Sequence, residues 1–234
     1  MTNDLAYSSL RRISIWAVVG FALIILTDLI SVLIGFGQVA APGWNIDLDA
    51  ETSVWLLLQG MLYLLKFPAY VFTIVIFLIW LNRANKNLTP LKAGMIEYSS
   101  GWAVAWWFIP FANLVKPFQV VREIWCESDP DEADGPGFLS ASLRSAPTFM
   151  AVWWGFWLVS NFLSNVTSRV YDPDSTEGVG LAGVFFILTG VTSAIAAYLA
   201  IVVVRRITAR QDARIARIGN IQRDMSPPPP PTFA

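Results

Sequence analysis

Tyr98–Ser128, YSSGWAVAWWFIPFANLVKPFQVVREIWCES, is apolar enough to enter a bilayer and too broken to cross one plainly. Its apolar run extends only from Gly101 to Phe111 and contains Pro110. Runs of roughly 10–14 apolar residues are more often re-entrant or interfacial than spanning. Pro110 and Pro117 each remove a backbone donor, which in lipid has to be compensated by protein or water contacts. The sequence then turns amphipathic, with Leu114, Phe118, Val121 and Trp125 at helical spacing and Lys116, Gln119, Arg122 and Glu123 elsewhere on the surface. Residues 101–125 are therefore expected to form a re-entrant or interfacial aromatic helical segment, ending in a helix on the inner leaflet.

Four stronger apolar stretches surround it, at about 13–36, 54–81, 147–167 and 179–207. Each is long enough for a hydrocarbon core of about 30 Å, which takes roughly 20 helical residues. The first is too long for a signal-peptide core of about 7–15 residues and is expected to be an uncleaved anchor. The composition agrees: 55% of residues are hydrophobic and 14% charged, which few soluble domains match. The predicted fold is thus an all-α integral membrane protein with four transmembrane helices. Residues 1–12 form a cytoplasmic N-terminus, 13–207 the membrane domain, and 208–234 a basic, proline-rich disordered cytoplasmic tail ending in Pro227–Pro231.

Basic residues set the orientation, because Lys and Arg beside spans are retained in the cytoplasm. With four crossings, every Lys and Arg except Lys66 and Arg169 falls on one side. A fifth crossing through Trp102 would scatter them across both sides. Both termini are expected in the cytoplasm of a bacterial inner membrane.

A resemblance supports this plan. Trp80, Arg83, Ala84 and Asn87, then Tyr98-Ser99, Gly101-Trp102-Ala103-Val104, Trp106-Trp107-Phe108-Ile109-Pro110, Asn113-Leu114, Lys116-Pro117 and Arg122-Glu123-Ile124-Trp125 form one long motif. It resembles a bacterial multi-pass membrane family catalogued as a domain of unknown function (number 4328). The likeness runs from the first span to about Arg210. This chain has Ser100 where the family commonly has proline, and Ala105 where it has glycine, which bears on the local bend. The resemblance implies a multi-pass bacterial membrane protein and brings no activity, cofactor or catalytic residue.

The residues themselves narrow the chemistry. The lone Cys126 excludes an internal disulfide, and with no histidine the usual zinc, copper and haem ligand sets are missing. No cofactor, metal or nucleic-acid partner is expected. No nucleophile and base stand at motif-like spacing, so an enzyme is not expected either. Asp28 and Lys66 are the ionisable residues inside spans, where each costs about 2.5–3.5 kcal/mol near a helix centre on insertion scales. Hairpin geometry lets them pair, leaving three readings open: an ion-coupling gate, a buried pair fixing helix register, or Lys66 snorkelling to the interface. Asn113, Asn161 and Asn165 read as hydrogen-bonding glue between helices. Trp80, Arg83, Trp102, Trp106, Asn113, Lys116, Arg122 and Trp125 form a candidate inner-leaflet patch for lipid or partner, suited to anionic headgroups. The acidic stretch Glu127–Asp134 reads as a solvated linker. The expected function is membrane interaction or scaffolding, binding lipids or other membrane proteins. The alternative is a small transporter or channel using Asp28 and Lys66. Oligomeric state is left open.

Overall fold

In the computed structural model, residues 6–42, 54–91, 93–94, 96–132, 145–170, 172 and 175–224 are described. They form helices α1 (Arg11–Ala40), α2 (Val54–Lys86), α3 (Ser100–Ala105), α4 (Lys116–Glu127), α5 (Thr148–Val170) and α6 (Thr176–Asp224), with single 3-10 turns at Ala112–Leu114 and Pro130–Glu132. No strand occurs among the described residues. Residues 43–53, the end of the acidic stretch at Asp134 and the Pro227–Pro231 run lie outside them.

The chain divides into two compact units. A span unit contains Arg12–Trp80 and Pro147–Val204; a clasp unit contains Met1–Arg11, Leu81–Ala146 and Arg205–Ala234.

Helices of the span unit are apolar on the outside. Along α1, Ser14, Ala17, Gly20, Ile24, Thr27, Asp28, Ser31, Ile34, Gly35 and Gln38 are buried at helical spacing. Ile15, Trp16, Val19, Leu23, Leu26, Leu29, Leu33 and Phe36 are exposed on the other face. In α2 the pattern repeats, with Gln59 and Thr73 buried and Leu64, Leu65 and Phe67 exposed. Water would favour the reverse arrangement; a lipid surround favours small and polar residues at helix contacts and large apolar ones facing outward. Three helices, α1, α2 and α6, are long and apolar enough to cross a membrane. A helix also forms at the span expected over 147–167, but this helix, α5, is not among the three. Its second half carries Ser160, Asn161, Ser164, Asn165, Thr167, Ser168 and Arg169, which dilute its apolar run.

Contacts fix the helix directions. Gly37 meets the Trp55 ring, Lys66 meets Asp28, and Gly20 meets Thr73, so α1 and α2 form an antiparallel hairpin. The Trp55 indole N–H closes it, donating to Ala41 O at 2.8 Å. Helix α6 approaches α1 at Gly183 beside Gly35 and at Gly190 beside the Asp28–Val32 backbone, which makes α6 antiparallel to α1 as well. It is therefore parallel to α2.

The region beyond residue 207 differs from expectation. Instead of a disordered tail starting at 208, α6 continues to Asp224. Ile207, Gln211, Arg214 and Ile218 repeat at helical spacing and are buried, and this packing holds a basic segment in a helix.

At Gly35 an added Cβ would stand 2.7 Å from the carbonyl oxygen of Gly183, a backbone atom that cannot step aside. At Gly60 an added Cβ meets nothing within 4 Å. Gly35→Ala is expected to lower stability by about 1–3 kcal/mol, as overpacking does. Gly60→Ala should be neutral or gain up to about 1 kcal/mol from helix propensity. Thermal unfolding in detergent micelles compares the two, and equal midpoints would contradict the close crossing.

Candidate functional site

The clasp unit is built on the side chains of α4. Its buried face carries Val120, Val121 and Ile124, and also Glu123 and Glu127, at 3% and 1% exposure. This overturns two expectations: Glu123 is not a surface residue of an amphipathic helix, and Glu127 does not belong to a solvated linker. Both are drawn inward by backbone donors of the loop before α3. Glu123 accepts the N–H of Glu97 through Oε1 and that of Tyr98 through Oε2, the latter at 3.3 Å. Glu127 accepts the N–H of Gly94 at 2.8 Å. Asn85 and Asn82 of α2 fasten the continuation of the same loop, donating to Tyr98 O at 3.0 Å and Ser100 O at 2.8 Å. A six-residue helix such as α3, too short to stand alone, is thereby anchored at its start.

One turn back along α4, the Tyr98 hydroxyl donates to Gln119 Oε1 at 2.9 Å and accepts from Lys116 Nζ at 3.3 Å. Lys116 Nζ lies 5.3 Å from the centre of the Tyr98 ring and 5.7 Å from that of Trp106, within cation–π range. The Trp102 and Trp106 rings lie 4.8 Å apart. Burial foremost, with the Glu97 and Glu123 carboxylates nearby, pushes the Tyr98 hydroxyl up to about 12, so it stays a donor at neutral pH.

The chain between α3 and α4 projects large apolar side chains. Trp102, Phe108, Leu114 and Val115 are exposed, and Phe111 reaches 86% exposure. Phe111 also has φ 62°, a backbone region that a non-glycine residue seldom adopts. Backbone donors at Trp106, Trp107, Phe108, Ala112, Asn113, Leu114 and Val115 nevertheless find carbonyls within the segment, at 2.8–3.2 Å. An irregular stretch that pairs most of its own backbone donors is better suited to apolar surroundings than one that leaves them open.

The end of α6 closes the unit. Gln211 is fully buried and donates to Ala84 O at 2.8 Å and to Ser128 Oγ at 3.1 Å, while accepting from Asn87 Nδ2 at 3.0 Å. Asn87 also pairs with both backbone groups of Ser8. Arg214, 1% exposed, donates to Leu91 O and Asp129 O at 2.9 Å each. Arg210 lies 4.4 Å from the Trp125 ring centre and pairs with Asp129 at 2.8 Å. Asp212 takes the Tyr7 hydroxyl at 2.7 Å and Arg11 Nε at 3.2 Å.

The expected patch is thus only partly assembled. Trp102, Trp106 and Lys116 come together, with Tyr98 and Gln119 as partners the sequence reading missed. Trp125 is engaged by Arg210 instead. Lys116 and Arg122 are six residues apart on α4 and so diverge by about 120° around it. Arg83 is exposed. Trp80 belongs to the span unit, fully buried and stacked on Phe77 at 5.6 Å, so it offers no surface. Asn113 is half-buried in the turn after Phe111. Asn161 and Asn165 are not glue between helices: each Nδ2 donates to the carbonyl four residues earlier in α5, at 2.7 and 2.9 Å. Within the span unit Lys66 Nζ does meet Asp28 Oδ1, at 2.8 Å.

Comparison with known proteins gives one relationship. The profile of the family described as a domain of unknown function, DUF4328, matches residues 47–209. The chain belongs to the DUF4328 family. No curated protein and no solved structure matches. The DUF4328 match takes in Lys66, the α4 clasp and the aromatic projection, and stops short of Asp28, Gln211 and Arg214. It carries no activity with it. Among the described residues no cluster of three or more acidic or cysteine side chains suited to a metal is present.

Burial, followed by repulsion from Glu97 and Glu127, pushes the Glu123 carboxyl up to about 7 despite its two backbone donors. The folded state therefore holds this proton more tightly than the unfolded chain. Stability from this group should fall as pH rises from about 4.5 to about 7 and be flat beyond that range. Glu123→Gln, which keeps an accepting oxygen, should remove this slope. Thermal unfolding across that range checks it, and an unchanged slope in the variant would show that Glu123 is not its source.

Proposed function

We propose that this DUF4328 protein is a four-span bacterial inner-membrane protein that acts by binding, holding lipids or neighbouring membrane proteins at the inner leaflet through the aromatic projection of its clasp unit. The observation that carries this reading is the group Trp102, Phe108, Phe111, Leu114 and Val115, exposed on a segment most of whose backbone donors are internally paired and whose base is the Lys116 ammonium. Elsewhere in the unit, Asn87, Gln211 and Arg214 are spent on internal contacts. An apolar tip beside a cation fits the boundary between acyl chains and anionic headgroups.

Helix direction supports four spans. Because α6 runs parallel to α2, the chain between them has to cross the bilayer an odd number of times. With 23 residues, α5 extends about 34 Å, whereas α4 with 12 extends about 18 Å. A single crossing by α5 leaves the Trp102 segment interfacial and both termini on the cytoplasmic side, in keeping with the basic residues.

Insertion is tested with a nitroxide on Phe111→Cys in liposomes containing phosphatidylglycerol, with the unsubstituted protein treated in parallel because Cys126 is buried. Collisions with oxygen should exceed those with a water-soluble nickel chelate, and Lys116→Gln should reduce that excess. Chelate-dominated collisions would place the tip in water and end the lipid-binding reading.

A further inference from the structure

The span unit encloses polar atoms that its own described residues leave unpaired. Asp28 is 1% exposed; Oδ1 takes Lys66, while Oδ2 has no hydrogen-bond partner among the described residues. Gln59 is 4% exposed and its Nε2 is likewise unpartnered. Gln38 is fully buried, with both amide atoms unpartnered among the described residues. An amide enclosed in an apolar helix bundle does not persist dry, because nothing replaces the hydrogen bonds it made in water.

These atoms are in line. Asp28, Ser31, Gly35 and Gln38 share one buried face of α1. Lys66 and Gln59 are seven residues apart on α2, two near-complete turns, and so share a face there. In the antiparallel register set by Asp28–Lys66 and Gly37–Trp55, Gln59 is level with Ile34 and Gly35, between Asp28 and Gln38. The steps along the axis are then about 9 Å from Asp28 to Gln59 and about 6 Å from Gln59 to Gln38. One or two hydrogen-bonded water molecules bridge such steps.

We infer that Asp28, Gln59 and Gln38 form an internal polar track that binds a file of water molecules, reaching from the Gln38 end of α1 to the Asp28–Lys66 pair. The ligand class follows from charge and access. Lys66 already neutralises Asp28, so the track has no net charge with which to hold an ion and selects small neutral hydrogen-bonding molecules. A second copy of the chain cannot supply the partners, since the atoms are enclosed within one chain. The track is independent of lipid binding by the clasp unit, and it brings water to the Asp28–Lys66 pair.

Water-edited solid-state NMR tests this on the full chain in lipid bilayers with glutamine side-chain amides labelled. Gln38→Asn and Gln59→Asn, which retain an amide, assign the two signals by their loss. The Gln59 amide should take up water magnetisation at a rate comparable with exposed Gln222. Uptake no faster than that of fully buried Gln211 would overturn the track. Uptake at Gln38 alone would also overturn it, since it would confine water to the helix end. Should one of these variants fail to fold, substitutions at Gln119, Gln211 and Gln222 assign its signal by elimination.

Discussion

A polar group shut away from water has to find its partner inside the protein, and in the clasp unit that constraint falls on a few side chains. Gln211 spends its amide on Asn87, Ala84 and Ser128, and Arg214 spends its guanidinium on the carbonyls of Leu91 and Asp129. Through these bonds one stretch of α6 holds the end of α2, the loop after it, the end of α4 and, by way of Asn87, the N-terminal segment. A buried hydrogen bond adds only about 0.5–1.5 kcal/mol net, but an orphaned partner costs about 1–3 kcal/mol, so the network resists piecemeal loss. Glu123 and Glu127 obey the same rule from α4, gathering backbone donors of a loop with little regular structure of its own.

The span unit meets the opposite surroundings with the opposite surface. Helix α1 turns leucine, isoleucine and phenylalanine outward and keeps Gly20, Gly35, Ser31, Thr27 and Asp28 inward, where Asp28 meets Lys66 of α2. Close approach at Gly35 and Gly183 replaces the bulky side-chain packing of a soluble core. Where burying apolar area against neighbours gains little, backbone proximity and a few polar contacts carry helix association. The aromatic projection of the clasp unit combines both principles, with apolar side chains outward and most backbone donors paired within.

Much of this was legible in sequence, and the failures share a cause. Long apolar runs locate α1, α2 and α6 because transfer of apolar residues depends on composition more than on partners. The break after Trp102 was legible through Pro110 and Pro117. The helix beyond Ile207 was not, since a segment with Arg205, Arg206, Arg210, Arg214, Arg217 and Arg223 looks solvated until its partners are known. The eleven-residue spacing of Ile207 and Ile218, with no glycine or proline between them, was the available signal. Glu123 was misread likewise: a carboxylate is a surface residue by default, and only loop donors far from it in sequence explain its burial.

The sequence by itself determined that the chain is helical, that it is apolar on a membrane scale, that its aromatic segment is broken, and that Asp28 and Lys66 are the pair of charges a hairpin could bring together. These follow from local composition and helical period. Tertiary structure alone decided which polar residues are enclosed, that Asn161 and Asn165 bond within their own helix, and that Lys116 joins Tyr98 and Trp106 while Trp125 joins Arg210. Each depends on which groups distant in the chain arrive at hydrogen-bonding distance, and a residue's type fixes what it needs without naming what will supply it.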